Sequence, residues 1–396
     1  MKNIILPRRR HLAILVLFLA IPLYAGMMQF DADPLCRTEK IPGLVSLAFG
    51  DLNGDGLPDM LANAFGTNQT GAAAEMLVFY NRAGKLPEAP DRKIPFPHCF
   101  RMAVHDFDQD GKNDIGLVAG CHLHFLFHKD GFDPEKRRGF FNTNQRVMDI
   151  QVCKLNDAGI FDVLVGPVWR KFTAGKSGFA VQNGYILGPR INDTWRTLAV
   201  DVNADGFMDI VGSGRDDNTL RIYYGPVLSL SVNPDDLSDF LQLQVSPGGI
   251  YGGFAVADLN GDHMADLAVA DGRNRQTYIY YQNEPAGFDG DAQPSLTVKG
   301  GGVVYTPDLA GGGIASLVIL DDSSKAGFFQ PRAGRAIPDD LANFDQVLRL
   351  PRTVRLYFTD MDGNGRQDMI RQGHDASVAV HACRPGPAQP AGVPGD

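Results

Sequence analysis

The sequence of 396 residues predicts an all-β fold, a seven-bladed β-propeller. A nine-residue loop rich in carboxylates recurs along the chain, short apolar runs flank each copy, and successive copies start about fifty residues apart. A period near fifty with several short strands per unit is typical of propeller blades, which close into a ring with only short, protected edges. All units are needed to close one ring, so we expect no second folded domain.

Five copies of the loop keep oxygen-bearing side chains at positions 1, 3, 5 and 9. Ca²⁺ takes six or more oxygen ligands, and glycine at position 6 permits the sharp turn that gathers them. Only His263 departs from that glycine. We therefore predict about four or five structural Ca²⁺ ions, bound in loops between the first two strands of the blades. The predicted ligands are Asp51, Asn53, Asp55, Asp59, Asp106, Asp108, Asp110, Asp114, Asp201, Asn203, Asp205, Asp209, Asp258, Asn260, Asp262, Asp266, Asp360, Asp362, Asn364 and Asp368.

An EF-hand loop begins in the same way, but it also needs a bidentate Glu at position 12 and a helix on each side. In the four loops with glycine at position 6, position 12 is Ala62, Leu117, Gly212 or Arg371. The flanking runs, such as residues 44–49 before the first loop, are short and apolar. Each loop is thus predicted to join two adjacent β-strands, which excludes an EF-hand.

Two weaker copies complete the seven units, and we expect neither to hold Ca²⁺ well. One has Lys154 at position 1 and Ala158 at position 5, and the other, residues 308–316, has lost three of its four acids. The Lys154 ammonium either occupies the place of the cation or is a solvated lysine. The seven copies begin at residues 51, 106, 154, 201, 258, 308 and 360. Third strands are predicted at residues 76–80, 123–127, 220–224, 277–281 and 378–380, with a fourth strand around residues 93–95 in the first unit.

The repeated loop resembles that of the FG-GAP/VCBS-type repeat family, which also builds the head of integrin α-subunits. The resemblance covers about residues 27–384, and Phe49-Gly50 and Gly166-Pro167 are similar to the FG and GAP signatures, which most of the repeats lack. It implies a calcium-binding propeller with ligands at the loop positions given above. The family includes adhesion modules, lectin-like proteins and polysaccharide-degrading enzymes, so the fold alone does not determine function.

The N-terminus predicts export. Lys2 and three arginines at residues 8–10 precede an apolar stretch over residues 12–25, the pattern of a signal peptide cleaved after Ala25. A membrane anchor is the alternative, but the stretch is shorter than the roughly 18 to 20 residues that a spanning helix needs. We therefore expect a signal peptide at residues 1–25, the propeller at 26–384 and a Pro/Gly-rich disordered tail at 385–396, with the mature protein secreted or periplasmic and without a stable membrane span.

Charge excludes nucleic acid as a partner. Removal of residues 1–25 leaves 33 basic and 46 acidic residues, a net charge of −13 with neutral histidines. Binding to nucleic acid depends on a basic face that neutralises phosphates. Bound Ca²⁺ would offset part of the negative charge, and Ca²⁺ sites of this kind fill where the ion is about millimolar, as it is outside cells.

All five cysteines follow the predicted cleavage site, and exported proteins form disulfides. If the hairpin around the second loop is centred on the fifth loop position, residues whose numbers sum to 220 face each other, which pairs Cys99 with Cys121. An N-terminal strand that completes the last blade would bring Cys36 beside Cys383, and a bond between them would lock the ring. Cys153 is then left over.

The face opposite the acidic loops, here called the corner face, carries the turns between second and third strands and the starts of the first strands. Arginine and tryptophan recur there, and together they suit carboxylated or sulfated sugars or a protein hot spot. The alternative is a set of solvated arginines paired with acids such as Asp216, Asp217 and Asp271. The candidate ligand rim consists of Trp169, Arg170, Trp195, Arg196, Arg215, Arg273, Arg371 and His374.

Blade two also concentrates histidines, which with Cys99 and Cys121 would suit copper or zinc. No Cys-x2-Cys spacing supports a zinc site, and the two cysteines alternatively form a disulfide. The sequence contains no Gly-x-Ser-x-Gly, P-loop or His-Glu-x-x-His motif, so we name no catalytic residue. The five clustered histidines are His98, His105, His122, His124 and His128.

These features predict an exported, calcium-stabilised propeller that acts as a binding or interaction module. Its ligand is expected to be an anionic glycan or an extracytoplasmic protein partner. The alternatives are a polysaccharide-active lyase or hydrolase, whose paired carboxylates sequence alone does not reveal, and a copper- or zinc-binding periplasmic protein. The corner face separates them: a shallow arginine rim favours binding, and a deep pocket with two converging acids favours catalysis.

Overall fold

In the described part of the chain, the strands form seven four-stranded antiparallel sheets, and a two-stranded ribbon joins the two ends. The computed structural model describes residues 27–65, 74–96, 99, 101–141, 150–155, 161–165, 168–175, 178–186, 194–214, 218–225, 240–245, 250, 253–282, 287–288, 293–311, 314–331 and 335–386. No helix among these residues has the length and apolar character to cross a membrane. The all-β, seven-bladed propeller that the sequence predicts is confirmed.

Each of the first six blades is a meander of four strands that run in chain order, and blade seven takes its fourth strand from the N-terminal segment. Blade one contains β3 (Leu44–Gly50), β4 (Asp59–Ala64), β5 (Glu75–Phe79) and β6 (Arg92–Pro95). Blade two contains β7 (Arg101–His105), β8 (Asp114–Ala119), β9 (His122–Leu126) and β10 (Arg138–Phe141). Blade three contains β11 (Gln151–Cys153), β12 (Phe161–Val165), β13 (Val168–Gly175) and β14 (Gly178–Ile186), and blade four contains β15 (Thr194–Val200), β16 (Asp209–Gly214), β17 (Thr219–Tyr223) and β18 (Phe240–Gln244).

The remaining blades follow the same plan. Blade five contains β19 (Phe254–Ala257), β20 (Asp266–Asp271), β21 (Gln276–Tyr280) and β22 (Leu296–Lys299), and blade six contains β23 (Gly302–Tyr305), β24 (Leu317–Asp321), β25 (Lys325–Phe329) and β26 (Gln346–Arg349). Blade seven contains β27 (Thr353–Thr359), β28 (Asp368–Gly373) and β29 (Val378–His381), and β2 (Cys36–Arg37) is its fourth strand. Short 3₁₀ turns lie at His128–Asp130, Pro134–Lys136 and Leu341–Asn343.

The acidic loops lie where the sequence places them, between the first and second strands of the blades. The second strands are almost wholly buried, and β4, β20 and β28 are buried along their whole length, because neighbouring blades cover both faces. Apolar side chains of adjacent blades form the core; between blades one and two, for example, Leu61, Val78 and Ile115 pack in one cluster. Most of the third strands begin and end one residue earlier than predicted, as β5 and β9 illustrate.

The N-terminal segment closes the ring, which is the arrangement that the sequence left as a possibility. Strand β2 pairs with β29, with Cys36 opposite Val380. Ahead of it, β1 (Met28–Phe30) pairs with β30 (Cys383–Pro385), which follows the last blade. Two glutamines of blade six hold β1 from the other side, because each amide donates to and accepts from one backbone residue. Gln330 bonds Met28 at 2.6 and 3.0 Å, and Gln346 bonds Phe30 at 2.8 and 3.0 Å.

Both predicted disulfides are wrong, and all five cysteines are free. In the blade-two hairpin, paired residues sum to 219, for example Arg101 with Val118, so Cys121 is one residue out of register with Cys99. A one-residue slip in a hairpin moves a side chain to the opposite face of the sheet. The predicted ring-closing bond between Cys36 and Cys383 fails for a different reason. Cys36 faces Val380 in blade seven, whereas Cys383 lies three residues farther on and pairs with Phe30.

The first strands face the centre of the ring, and side chains join them from blade to blade. The Tyr357 hydroxyl of blade seven accepts from the backbone N–H of Leu47 in blade one at 3.3 Å, and the Tyr305 hydroxyl of blade six accepts from Leu356 N–H in blade seven at 3.1 Å. Gln151 makes the equivalent bond from blade three to blade four. These bonds satisfy backbone groups that inner strands cannot pair within their own sheets.

We predict that Gln346→Ala lowers the free energy of unfolding by about 1–3 kcal/mol, because it leaves the N–H and C=O of Phe30 without their partners. Urea denaturation measures the change. The control is Val347→Ala, since Val347 lies next along β26 with an exposed side chain and should change stability little. Equal effects of the two substitutions would contradict this role of Gln346 in ring closure.

Candidate functional site

The turn of each complete acidic loop is built by its own side chains. The carboxylate at position 1 accepts a hydrogen bond from the backbone N–H at position 6 in all five loops, at 2.7–2.9 Å. The side-chain oxygen at position 5 accepts from the N–H at position 7, at 2.8–2.9 Å. Such local bonds are the reason that Asp and Asn favour turns. They gather the oxygen atoms of one loop into a small region.

The backbone is left-handed at positions 4 and 6 of these loops. Glycine occupies most of these positions, because it adopts positive φ without steric cost. Ala204 at position 4 (φ 56°) and His263 at position 6 (φ 68°) show that the same turn forms without it. The loop that lacks the position-6 glycine therefore keeps the geometry of the other four.

The aspartate at position 9 has a structural task that the sequence did not reveal. It starts the second strand, is almost fully buried, and uses both carboxylate oxygens on backbone N–H groups. In blade one, Asp59 Oδ2 accepts from Leu52 N–H in the loop and Oδ1 accepts from Asn81 N–H after the third strand, both at 2.8 Å. Equivalent pairs of bonds occur at Asp114, Asp209, Asp266 and Asp368. We call this carboxylate the blade staple.

Burial raises the pKa of these staples. The pKa is about 7 for Asp114 and about 6 for Asp266 and Asp368, chiefly because the charged form loses its hydration. Other carboxylates of the same loop add to the effect, as Asp108 does at Asp114. Backbone hydrogen bonds act in the opposite direction and favour the charged form. A cation in the loop would favour ionisation as well.

The staple persists in a loop that we do not expect to bind Ca²⁺. In blade three, Asp162 is buried and its Oδ2 accepts from Leu155 N–H at 2.8 Å. Residues 156–160 lie outside the described part of the loop, so the suggested place of the Lys154 ammonium stays a prediction. In blade six, Ser316 stands at position 9, and its N–H donates to the Pro307 carbonyl at 2.8 Å.

Two loops bring three carboxylates together so that one oxygen of each lies within 4.8 Å of the others. These are Asp106, Asp108 and Asp114 in blade two and Asp360, Asp362 and Asp368 in blade seven. The separation is short for like charges that have no cation between them. An all-oxygen donor set of this kind fits a hard divalent ion.

Two buried carboxylate oxygens in the loops have no hydrogen-bond partner. They are Oδ1 of Asp108 in blade two and Oδ1 of Asp201 in blade four. The Asp108 side chain is only 2% exposed, and Lys129 Nζ lies 2.5 Å from its other oxygen. That contact raises the pKa of Lys129. Lys129 follows the third strand, so loop two already contains a positive charge that its nine residues do not predict.

The corner face holds part of the predicted ligand rim in one pocket. Arg273 of blade five and His374 of blade seven both line a cavity of about 610 Å³. Backbone bonds fix their positions, since Arg273 N–H donates to Asp271 Oδ1 at 3.0 Å and His374 N–H to the Arg352 carbonyl at 2.6 Å. The other lining residues are Gly272, Gly302, Val303, Leu320, Asp321, Asp322, Ser324, Thr353 and Val354. The sequence did not single these out.

Among the described rim residues, Arg371 is not brought into this pocket. Arg371 is buried within β28, where its guanidinium donates to the Pro351 carbonyl at 2.7 Å and burial lowers its pKa. It is thus part of the blade interior and not of an exposed rim. Arg215 lies outside the described residues, as do the side chains, though not the backbone, of Trp169, Arg170, Trp195 and Arg196.

The blade-two histidines do not gather into a metal site in the described part of the chain. His122 and His124 stack on one face of β9, 5.8 Å apart, as alternation predicts. Burial lowers the pKa of His124 to about 4, and it lowers that of His105, which packs against Phe107. Among the described residues, the groups with metal-binding distances are the two carboxylate clusters. His98 lies outside the described residues.

We predict that Asp162→Ala lowers the free energy of unfolding by about 1–3 kcal/mol, by the same amount in excess Ca²⁺ and in chelator. The reason is that it leaves the buried Leu155 N–H without its partner. Denaturant titration in both conditions measures the loss. Asp205→Ala, at the exposed fifth position of loop four, is the contrasting variant: it removes an exposed turn bond, so it should cost little in chelator and clearly more when Ca²⁺ is present. A purely calcium-dependent effect of Asp162→Ala would contradict the staple.

The sequence matches no known protein family and no curated protein. The structure is similar to that of BBS1N in its complex with ARL6DN, with 12% identical residues, a TM-score of 0.55 and coverage of 90% of this chain and 95% of BBS1N. It is also similar to the WD40 domain of Toxoplasma gondii coronin, with 10% identity, a TM-score of 0.58 and coverage of 92% and 88%. At these identities the similarity shows a shared propeller fold and no more.

Proposed function

We propose that the protein is an exported, calcium-stabilised propeller of the FG-GAP/VCBS type that acts as an interaction module for a protein partner. The observation that supports it most is the division of the ring into two faces. The acidic loops occupy one face, and the opposite face carries a pocket that draws residues from three blades. A propeller interaction module is a plausible role for this fold, since one structural neighbour, BBS1N, is in a complex with ARL6DN.

The carboxylates of the five loops are suited to Ca²⁺. Each loop offers only oxygen atoms, and the staples retain lone pairs for a metal after they accept two backbone bonds. Bound Ca²⁺ ions would be coordinated by the Oδ1 atoms of Asp108 and Asp201, which accept no hydrogen bond. Loop two is expected to bind Ca²⁺ more weakly than the others, because Lys129 already stands against Asp108. The basic and apolar residues 1–25 support export to a compartment where Ca²⁺ is abundant.

We predict that chelation of Ca²⁺ lowers the melting temperature. At about 1 mM Ca²⁺ and a dissociation constant of about 0.1 mM, each site contributes about 1.4 kcal/mol. Asp205→Ala should remove the share of one site, whereas Asp162→Ala should keep the full calcium-dependent gain. Melting curves with Ca²⁺ and with a calcium-selective chelator make the comparison. Identical curves in the two conditions would count against structural calcium.

The chemistry of the corner-face pocket favours a protein partner over an anionic glycan. It contains both signs of charge, Arg273 and His374 with Asp321 and Asp322, and Val354 is 42% exposed beside them. A purely anionic sugar would meet the two carboxylates unfavourably. An apolar side chain among charges of both signs is typical of a protein interface.

The two pocket acids also argue for binding over hydrolysis. Asp321 accepts from the N–H groups of Ser323 and Lys325, so it caps the turn between β24 and β25. Asp322 forms an exposed ion pair with Arg275 at 3.5 Å. Paired catalytic carboxylates would instead face each other across a substrate. Copper or zinc binding receives no support from the described histidines.

We expect substitutions in the corner pocket to abolish partner capture without loss of fold. The variant Arg273→Glu/His374→Glu reverses the charge there, and Lys112→Glu, on the opposite face, is the control. Partners captured from the native extracytoplasmic fraction would be compared quantitatively with those of the unaltered protein. Loss of the same partner in both variants, or in neither, would contradict a binding site at this pocket. Binding of the unaltered protein to isolated uronic-acid glycans would favour the glycan alternative.

A further inference from the structure

The acidic loop of blade two contains a cation that the protein itself supplies. Lys129 Nζ lies 2.5 Å from Asp108 Oδ2, and the side chain of Asp108 is only 2% exposed. The other oxygen, Oδ1, is buried and accepts no hydrogen bond. Asp106 and Asp114 each place a carboxylate oxygen within 4.8 Å of one from Asp108. A buried carboxylate among like charges is unfavourable unless a positive charge neutralises it, and Lys129 supplies that charge.

The staple of the same blade positions Lys129. Asp114 Oδ1 accepts a hydrogen bond at 2.8 Å from the backbone N–H of His128, the residue before Lys129, at the start of a 3₁₀ turn. The Lys129 ammonium also lies over the Phe127 ring, 5.0 Å from the ring centre. The Lys129 side chain is 49% exposed. Because the backbone is held while the side chain borders on solvent, the ammonium can leave the loop without a change of fold.

Basic residues at the equivalent place in two other blades pair outside their loops. The residue that follows the second N–H bound by the staple is Arg82 in blade one and Arg384 in blade seven. Arg82 forms an ion pair with Asp91, and Arg384 forms one with Asp31 at 3.1 Å. Lys129 differs from both because it pairs with a carboxylate of its own acidic loop.

We propose that Lys129 is the built-in counter-ion of loop two and that Ca²⁺ must displace it, which makes this loop a calcium-responsive switch. At low Ca²⁺ the ammonium neutralises the carboxylates and stabilises blade two. At high Ca²⁺ the ion binds Asp108 instead, because two cations repel each other at one carboxylate, and the ammonium turns into solvent. The displacement rests on the proposed function, since it requires loops that bind Ca²⁺, whereas the role as counter-ion does not.

The role as counter-ion is tested without Ca²⁺, by urea denaturation in chelator of Lys129→Met, Asp108→Asn and the double variant. Asn already occupies position 3 of loops one, four and five, so Asp108→Asn suits the turn. We expect Lys129→Met to lower the urea midpoint, because Asp108 is left buried and unpaired. In the Asp108→Asn background the loss should be less than about half as large. The control is Lys112→Met, which should have little effect, since Lys112 is exposed at position 7 of the same loop.

The displacement is tested by calorimetric titration of the full-length mature protein with Ca²⁺. We expect the weakest site of the unaltered protein to bind about tenfold more tightly in Lys129→Met, since the ion no longer competes with the ammonium. Lys112→Met removes the same charge without a contact to Asp108, and it should change that affinity by less than about threefold. Lys129→Gln replaces Lys129→Met if the latter does not fold.

Two results would overturn the inference. One is an equal loss of stability from Lys129→Met with and without Asp108→Asn, and the other is an equal effect of Lys129→Met and Lys112→Met on the weakest Ca²⁺ site. Failure of the proposed function would look different, because loops one, four, five and seven would then bind no Ca²⁺. The measurement in chelator would still decide whether Lys129 is the counter-ion of loop two.

Discussion

A buried carboxylate at the start of the second strand, present in six of the seven blades, organises most of this ring. The staple at position 9 starts the second strand and accepts one backbone N–H from the acidic loop and another from the end of the third strand. Hydrogen bonds to a charged group contribute about 1.5–3 kcal/mol, more than neutral ones. Because burial also raises the pKa of Asp114, Asp266 and Asp368, the same groups resist ionisation. A cation in the loop would relieve that conflict, so the architecture and the proposed calcium belong to one physical account.

The acidic loops and the staples also explain why we place partner binding on the corner face. On the loop face, side chains are committed to turns, staples and the proposed cation sites. On the corner face, the starts of first strands meet the turns of neighbouring blades, and Arg273 and His374 come together from blades five and seven. A second cavity, of about 700 Å³, lies at the centre of the ring, and the wall of this central cavity comes mainly from first strands and the residues beside them.

The repeats were sufficient to predict the blades and the position of the loops, because the period of the motif and the apolar runs beside it can be read from the sequence, whereas closure of the ring by the N-terminal segment was only a possibility. Side-chain environment was harder to predict. The predicted hairpin register was wrong by one residue, so Cys99 was paired with Cys121. Because side chains alternate between the two faces of a sheet, this small error is enough to place a side chain on the wrong face. Arg371 was placed on the rim by its distance from the loop, yet position 12 falls inside a second strand that is buried on both faces. Lys129 reaches loop two from the third strand, and the central cavity exists only after the ring closes.

The claim on which the account depends most is that the acidic loops bind Ca²⁺. Metal analysis of the purified mature protein by mass spectrometry, before and after dialysis against a calcium-selective chelator, tests it most directly. We expect about four or five Ca²⁺ ions per chain before dialysis, with the blade-two ion lost first, and no stoichiometric transition metal. A stable, folded protein that holds no Ca²⁺ at millimolar concentrations of the ion would contradict the account. Stoichiometric copper or zinc would instead indicate a transition-metal site at the histidines of blade two.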